Sequence, residues 1–471
     1  MMNIEYRLIP AALTALLTAC QPQTSGTAIT NVTLIDAVNG VRENQTVVVE
    51  DDAIVAVVPS DQDTNATTVI DGAGKYLIPG LWDFHVHFTF DERLTDAMPA
   101  LFLSYGVTSV RDTGGLIEKI QPVVDRMSAA NAVAPRVFYA GPLLDGADVV
   151  YDGSSAPALG IPVATPDEAR TRIRELKDLG IDFIKIYEMV APDVFAAMIE
   201  TAQELDLPVD SHVPLALRAS EVGQDLDALE HLRNVELDCT ANGAELLATR
   251  RQRLQNPDDL PGAELRSSLH TLQRIPAIEA YDEAACDRTL DALANTVQVP
   301  TLRISALDHA PPYERDDWDD ALARVPAAVR LEWQALASER AAAPPIEGTS
   351  YGDWAFFLTE RMHARGIPIA AGTDTPILLS VPGYSLHAEL EYLVRAGMTP
   401  LEVLASATVQ PAEFFSLEDE MGTIDIGKRA DLVLLDADPL ENIANTRSIA
   451  GVVTKGQYFD IATLRDRIPT N

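Results

Sequence analysis

The chain reads as an α/β protein, a (β/α)8 TIM barrel with a small β-sandwich domain formed by both chain ends. From Pro79 onward, strand-like apolar runs alternate with helical stretches, the texture of βα units around a parallel sheet. Before Pro79 and after Met421 that alternation is absent, and short β-rich runs replace it. In addition, histidine, lysine and aspartate recur where the strand candidates end, the face on which such barrels assemble their sites.

The elements follow in chain order. Residues 1–19 read as a targeting segment: Arg7, then an apolar stretch over 8–19 that is too short to span a bilayer as a helix. It closes in Leu17-Thr18-Ala19-Cys20, which resembles a bacterial lipobox. That resemblance implies lipidation of Cys20. With Gln21 after it, it also implies an anchor on the periplasmic side of the cell envelope, at the outer membrane. The plainer alternative is a secretory signal with a chance cysteine. Residues 20–27 form a tether, and 28–78 the first part of the β domain, where strand runs 46–50 and 53–58 meet at an Asp51-Asp52 hairpin turn.

The barrel is expected over 79–420. Its eight strand candidates are 81–87, 107–112, 136–140, 182–187, 208–212, 228–231, 299–303 and 367–374, with helices such as 166–179, 194–205 and 390–396 between them. Looser spacing over 238–299 and 306–345, with a helical patch at 318–330, reads as insertions over the barrel mouth. Residues 421–471 return to strands, at 430–435 and 449–453, and complete the β domain.

Composition narrows the partners. A net charge of −36 over 471 residues argues against nucleic acid or an anionic membrane surface, leaving the lipid anchor as the one membrane contact. Only six of the 35 basic residues are lysines. A homo-oligomer is compatible with the sequence. Apart from Cys20, the cysteines are Cys239 and Cys286, which either pair in an oxidising periplasm or stay as buried thiols.

The stretch Leu81-Trp82-Asp83-Phe84-His85-Val86-His87-Phe88 organises the rest. Alternate strand residues share a face, so His85 and His87 project together, while Phe84, Val86 and Phe88 face the other way and pack under helices. Two imidazoles on one strand suit a divalent metal. Lys185 lies in an apolar strand, where a lysine is expensive unless paired or chemically changed. His212, His231 and Asp374 end strands five, six and eight. Singly, each has a plainer role as a strand-end residue or a helix cap. Tyr187 shares a face with Lys185 and is a candidate donor to a substrate carbonyl, or else barrel packing. Arg111, Arg233 and Arg303 follow strand ends, and each could hold a substrate carboxylate or form an ordinary ion pair.

Together with Leu77-Ile78-Pro79-Gly80, Thr108-Ser109-Val110-Arg111-Asp112-Thr113-Gly114-Gly115, Ala371-Gly372-Thr373-Asp374, Leu386-His387-Ala388-Glu389-Leu390 and the closing Gly422-Thr423-Ile424-Asp425-Ile426-Gly427-Lys428-Arg429-Ala430-Asp431-Leu432-Val433, this set resembles the amidohydrolase superfamily of metal-dependent hydrolases. The likeness covers nearly all of the chain after residue 27 and is nearest the binuclear, prolidase-like or imidazolonepropionase-like branch. It implies two divalent ions, zinc first, with manganese, iron or cobalt as alternatives. His85 and His87 would hold one ion and His212 and His231 the other. Lys185 would bridge them as a carbamate, and Asp374 would complete the site and act as base. The expected substrate is a dipeptide or N-acyl amino acid cut at its amide bond. Two rivals are a mononuclear cyclic-amide hydrolase or deaminase of the same superfamily, and a surface-binding lipoprotein without activity. His387 is expected to pack at a helix start, and no role is assigned to His270, His309 or His363.

Overall fold

The computed structural model describes residues 26–154, 156–256, 260–344 and 347–469; Cys20 and the targeting segment lie outside them. Strands β1 (Thr27–Asp36), β2 (Gly40–Glu50), β3 (Ala53–Pro59), β4 (Thr68–Asp71) and β5 (Tyr76–Pro79) come first. The barrel supplies β6 (Leu81–Val86), β7 (Val107–Asp112), β8 (Arg136–Tyr139), β9 (Leu143–Asp145), β10 (Gly160–Pro162), β11 (Ile184–Ile186), β12 (Val209–Ser211), β13 (Ala228–Glu230) and β14 (Val297–Val299). Strands β15 (Leu432–Leu435), β16 (Ile449–Thr454) and β17 (Gln457–Asp460) close the chain.

Val47, Val48 and Val49 of β2 are buried, and β-branched side chains of this kind favour a packed sheet. The hairpin to β3 turns at Asp51, whose φ of 51° aspartate tolerates. Strand β5 joins the chain ends, parallel to β1 on one side and antiparallel to β15 on the other. The result is one eight-stranded sheet ordered β17-β16-β15-β5-β1-β2-β3, with β4 against β1. The two segments expected to form a β-sandwich share one hydrogen-bonded sheet. Arg136 fastens it to the barrel through Asp431 at 2.6 Å and through Asp52.

Seven barrel staves are laddered, with β8 and β9 forming two halves of the third around Gly141. The seventh stave is Val297–Val299, earlier than the 299–303 expected, because Thr301 turns left-handed (φ 46°) and starts a helix at Leu302. The eighth, anticipated over 367–374, forms no regular strand. It is held on one side by Gln298 N–H to Pro368 O (2.8 Å) and Ala370 N–H to Gln298 O (2.9 Å). On the other side Phe84 N–H donates to Ala371 O and Asp374 N–H to His85 O.

The register of β6 against β7 is irregular between Asp83 and Val86. This corrects one expectation: Val86 and Phe88 do pack outward in the main core, but Phe84 turns inward with Trp82. There it meets Phe414 at 5.2 Å, edge on. The helices at Pro166–Asp178 and Pro192–Glu204 stand where periodicity places them, the first capped by Thr165. The helix anticipated near 390 begins earlier, at Tyr384, and the patch at 318–330 splits into Trp318–Leu322 and Ala327–Ala342, the second starting after Pro326. Cys239 and Cys286 form a disulfide across the first insertion. No helix among the described residues is long and apolar enough to cross a membrane.

Candidate metal centre

His85, His87, Lys185, His212, His231 and Asp374, drawn from five staves, all line one small cavity. The hydrogen-bond partners fix how each imidazole is presented. His87 donates from Nδ1 to Gly114 O at 3.0 Å, and His85 from Nδ1 to the Glu230 carboxylate. His212 donates from Nδ1 to Glu188 Oε1 at 2.8 Å. His231 donates from Nδ1 to Thr301 Oγ1 at 2.6 Å, since that hydroxyl gives its own proton to Pro300 O. With Nδ1 committed in all four, Nε2 is the atom left to bind a cation, and such partners are what orient metal-ligating histidines.

The ligand atoms converge. His85 Nε2 and His87 Nε2 lie 3.3 Å apart, at 3.4 and 3.2 Å from Asp374 Oδ1. His231 Nε2 is 3.8 Å from Asp374 Oδ2. Asp374 Oδ1 is buried and receives no hydrogen bond. Buried acceptors facing one another are costly without a proton or a cation between them, so this donor set fits a divalent metal. Burial holds His212 and His231 well below the usual histidine range, which keeps them neutral and able to ligate. His85 is different. Burial opposes its protonation, but the Glu230 and Asp374 carboxylates raise it to about 9. A bound cation would take the place of that proton. Asp374 is itself held low, burial notwithstanding, by His85 and His231.

Lys185 Nζ, buried, donates to Asp210 Oδ2 at 3.0 Å. Tyr187 lies on the cavity wall with its ring 4.5 Å from that of His212, and burial keeps its phenol protonated, a donor.

Two expected substrate contacts are corrected. Arg111 is fully buried inside the barrel, off the cavity wall. Its guanidinium stacks 3.7 Å over Phe84 and pairs with Glu230, positioning the carboxylate that holds His85. Arg303 is spent on carbonyls, reaching Ile377 O at 2.6 Å, Leu378 O at 3.1 Å and Asp374 O at 3.3 Å, as well as Thr373 O. It holds the loop that carries Asp374. Arg233 does line the cavity.

Several positioning residues went unread in the sequence. Asp83 accepts from Thr373 N–H (2.9 Å) and Oγ1 (2.6 Å), tying the first stave to the eighth. Glu188 gathers His212, Arg266 at 2.8 Å and His270 at 2.6 Å. The signal was available: Asp83, Asp210 and Glu230 each interrupt an apolar strand run, where a carboxylate needs a partner. Glu188 and His270 gave none, because they meet only through the insertion helix Gly262–Glu279. His387 is buried in its helix, bonded to Thr446 Oγ1 and Tyr105 O, a packing role as expected.

Residues 357–458 match the Amidohydrolase family. An imidazolonepropionase of Shouchella clausii is 32% identical over 119 residues, 23% of this chain and 25% of that protein. The imidazolonepropionase of Brevibacillus brevis is 24% identical over 241 residues, 47% of this chain and 54% of its own. The chain therefore spans between a quarter and about half the length of these relatives. Among solved structures, a bottromycin amidohydrolase superposes with a TM-score of 0.70 at 23% identity, covering 95% of this chain and 89% of that one. A Xaa-Pro dipeptidase with methionine in its active site gives 0.65 at 20% identity, covering 93% and 100%. The family match thus covers residues 357–458, and the solved structures share the fold of this chain.

Proposed function

We propose that the protein is a metal-dependent hydrolase of carbon–nitrogen amide bonds, acting on a dipeptide or N-acyl amino acid. The observation that carries this reading is the convergence of four histidine Nε2 atoms, Lys185 and Asp374 on one cavity at the ends of the staves. The amidohydrolase match and the imidazolonepropionase relatives support it. His85 and His87 would hold one divalent ion, zinc or a similar metal, and His212 and His231 a second, with Lys185 between them as a carbamate. Bound divalent ions supply a water of lowered pKa and a polarised carbonyl.

The chain's own groups do the rest. Asp374, ionised and with Oδ1 free of donors, accepts a proton from the attacking water and delivers it to the leaving nitrogen. The Tyr187 hydroxyl donates to the carbonyl oxygen as charge builds there. Asp83 and Arg303 keep Asp374 aimed.

One observation favours a second reading, a single-metal cyclic-amide hydrolase. His85, His231 and Asp374 place ligand atoms within 4.8 Å of one another, enough to hold a single ion, and Lys185 is already satisfied by Asp210. Metal analysis together with a kinetic screen of dipeptides, N-acyl amino acids and cyclic amides decides between them. Two ions per chain with turnover of linear amides supports the first reading. One tightly held ion with turnover of cyclic amides alone replaces it with the second.

A further inference from the structure

Among the arginines around the barrel mouth, Arg233 stands apart. Arg266 is bound to Glu188, Arg274 to Glu236 at 3.3 Å, and Arg250 to Asn234 and Gln273. Arg233 lines the metal cavity, yet its guanidinium has no ion-pair or hydrogen-bond partner among the described residues, and its Nε is buried. Acidic residues outnumber basic ones 71 to 35 in this chain, yet among the described residues none forms an ion pair with it. A buried donor left unpaired costs stability, so such a group persists where a ligand completes it.

The backbone is bent to put it there. His231, Leu232 and Asn234 all have left-handed φ values, 58°, 56° and 67°, a costly conformation for non-glycine residues and most of all for Leu232. The bend is over-determined by its neighbours: Tyr351 Oη donates to His231 O at 2.8 Å, Asn234 Nδ2 to Val213 O at 2.8 Å, and Arg250 to Asn234 Oδ1 at 2.9 Å. One strained loop therefore sends His231 and Arg233 to the same cavity.

Resting on the amide-hydrolase reading above, we propose that Arg233 is the specificity residue that binds a carboxylate of the substrate. The cavity wall holds both the ligand set and this guanidinium, so the carboxylate and the scissile carbonyl must belong to one short span of substrate. An α-carboxylate, on the carbon that bears the amide nitrogen, meets that requirement. The substrates are then N-acyl α-amino acids and dipeptides with a free C-terminus, while their decarboxylated or amidated counterparts lack the group that Arg233 binds.

The test compares metal-loaded wild type, Arg233→Met and Arg233→Lys, each checked for metal content and melting temperature. N-acetyl-L-leucine and its decarboxylated analogue, N-acetyl-3-methylbutylamine, serve as substrates, and binding of N-acetyl-L-leucine is also measured by calorimetry. The wild type should prefer the acid in kcat/KM, and Arg233→Met should shrink that preference by about a hundredfold, with Lys recovering part of it. Affinity for the acid should fall at least about tenfold in Arg233→Met, a readout that stands even if neither compound is hydrolysed. Failure of hydrolysis alone would thus count against the amide reading and not against Arg233. The anchor is overturned if Arg233→Met, still metal-loaded, binds the acid as the wild type does, or if the acid preference survives the substitution.

Discussion

Two residues decide between the readings of the site. Among the described residues Asp374 is the one carboxylate within 4 Å of three of the candidate ligand imidazoles, and its Oδ1 is unbonded. Replacing it by Asn keeps the shape but removes the proton acceptor, so Asp374→Asn should lower turnover by roughly a hundredfold or more in steady-state assays while much of the metal stays bound. Near-wild-type turnover would remove Asp374 from the mechanism. Lys185 separates two ions from one. If it bridges them as a carbamate, Lys185→Ala should lose metal and rate together, and acetate or propionate should restore part of both, with formate restoring less. If Lys185 is only the ion-pair partner of Asp210, the acids will not help and metal content will follow the folded fraction. At this scale the sequence was most legible where chemistry is unusual for its surroundings: histidines two apart in a strand, a lysine among Phe183, Ile184 and Ile186. It was least legible for the arginines, because an arginine after a strand end is common. Only packing tells the guanidinium stacked under Phe84 from the one left facing the cavity.

Among elements, the laddered staves were readable from their apolar runs, and the misplacements have local causes. A left-handed Thr301 ends the seventh stave early, and an irregular register turns Phe84 inward beside Trp82. Neither leaves a mark in hydrophobic periodicity. The first insertion is a case of its own. Helices Gly243–Gln255 and Gly262–Glu279 carry Arg250, Arg266 and His270 onto Asn234 and Glu188, and the Cys239–Cys286 bond closes the segment that contains them. For a bond spanning 47 residues, chain entropy alone predicts a contribution of about 4 kcal/mol. Cys286→Ser should accordingly lower the melting temperature under oxidising conditions, and reductant should lower the wild type to match. A variant that melts with the wild type in both conditions would show that the insertion is held by its ion pairs alone.

For the whole molecule, both chain ends enter one sheet, and the barrel is fastened to it through Arg136. This was visible in the sequence as a change of texture at Pro79 and Met421, although the single continuous sheet depends on β5 pairing on both edges, which no local pattern reveals. The lipobox-like Leu17-Thr18-Ala19-Cys20 carries a proposal about where the protein works. Native protein should fractionate with membranes, and Cys20→Ser should release it with turnover of the soluble part unchanged. Wild type found only in the soluble fraction would end that proposal. The unladdered eighth stave has a consequence of its own. That seam is held by a few backbone hydrogen bonds, with His85 and His87 on one side facing Asp374 on the other like a buckle. A cation seated between them would clasp the first stave to the last, so ion binding would tighten a seam that backbone hydrogen bonds already close. Chelation should then speed hydrogen exchange at the amides of Phe84, His87 and Asp374 before it reaches β12 and β13, and uniform protection with and without metal would show that the ring closes on hydrogen bonds alone.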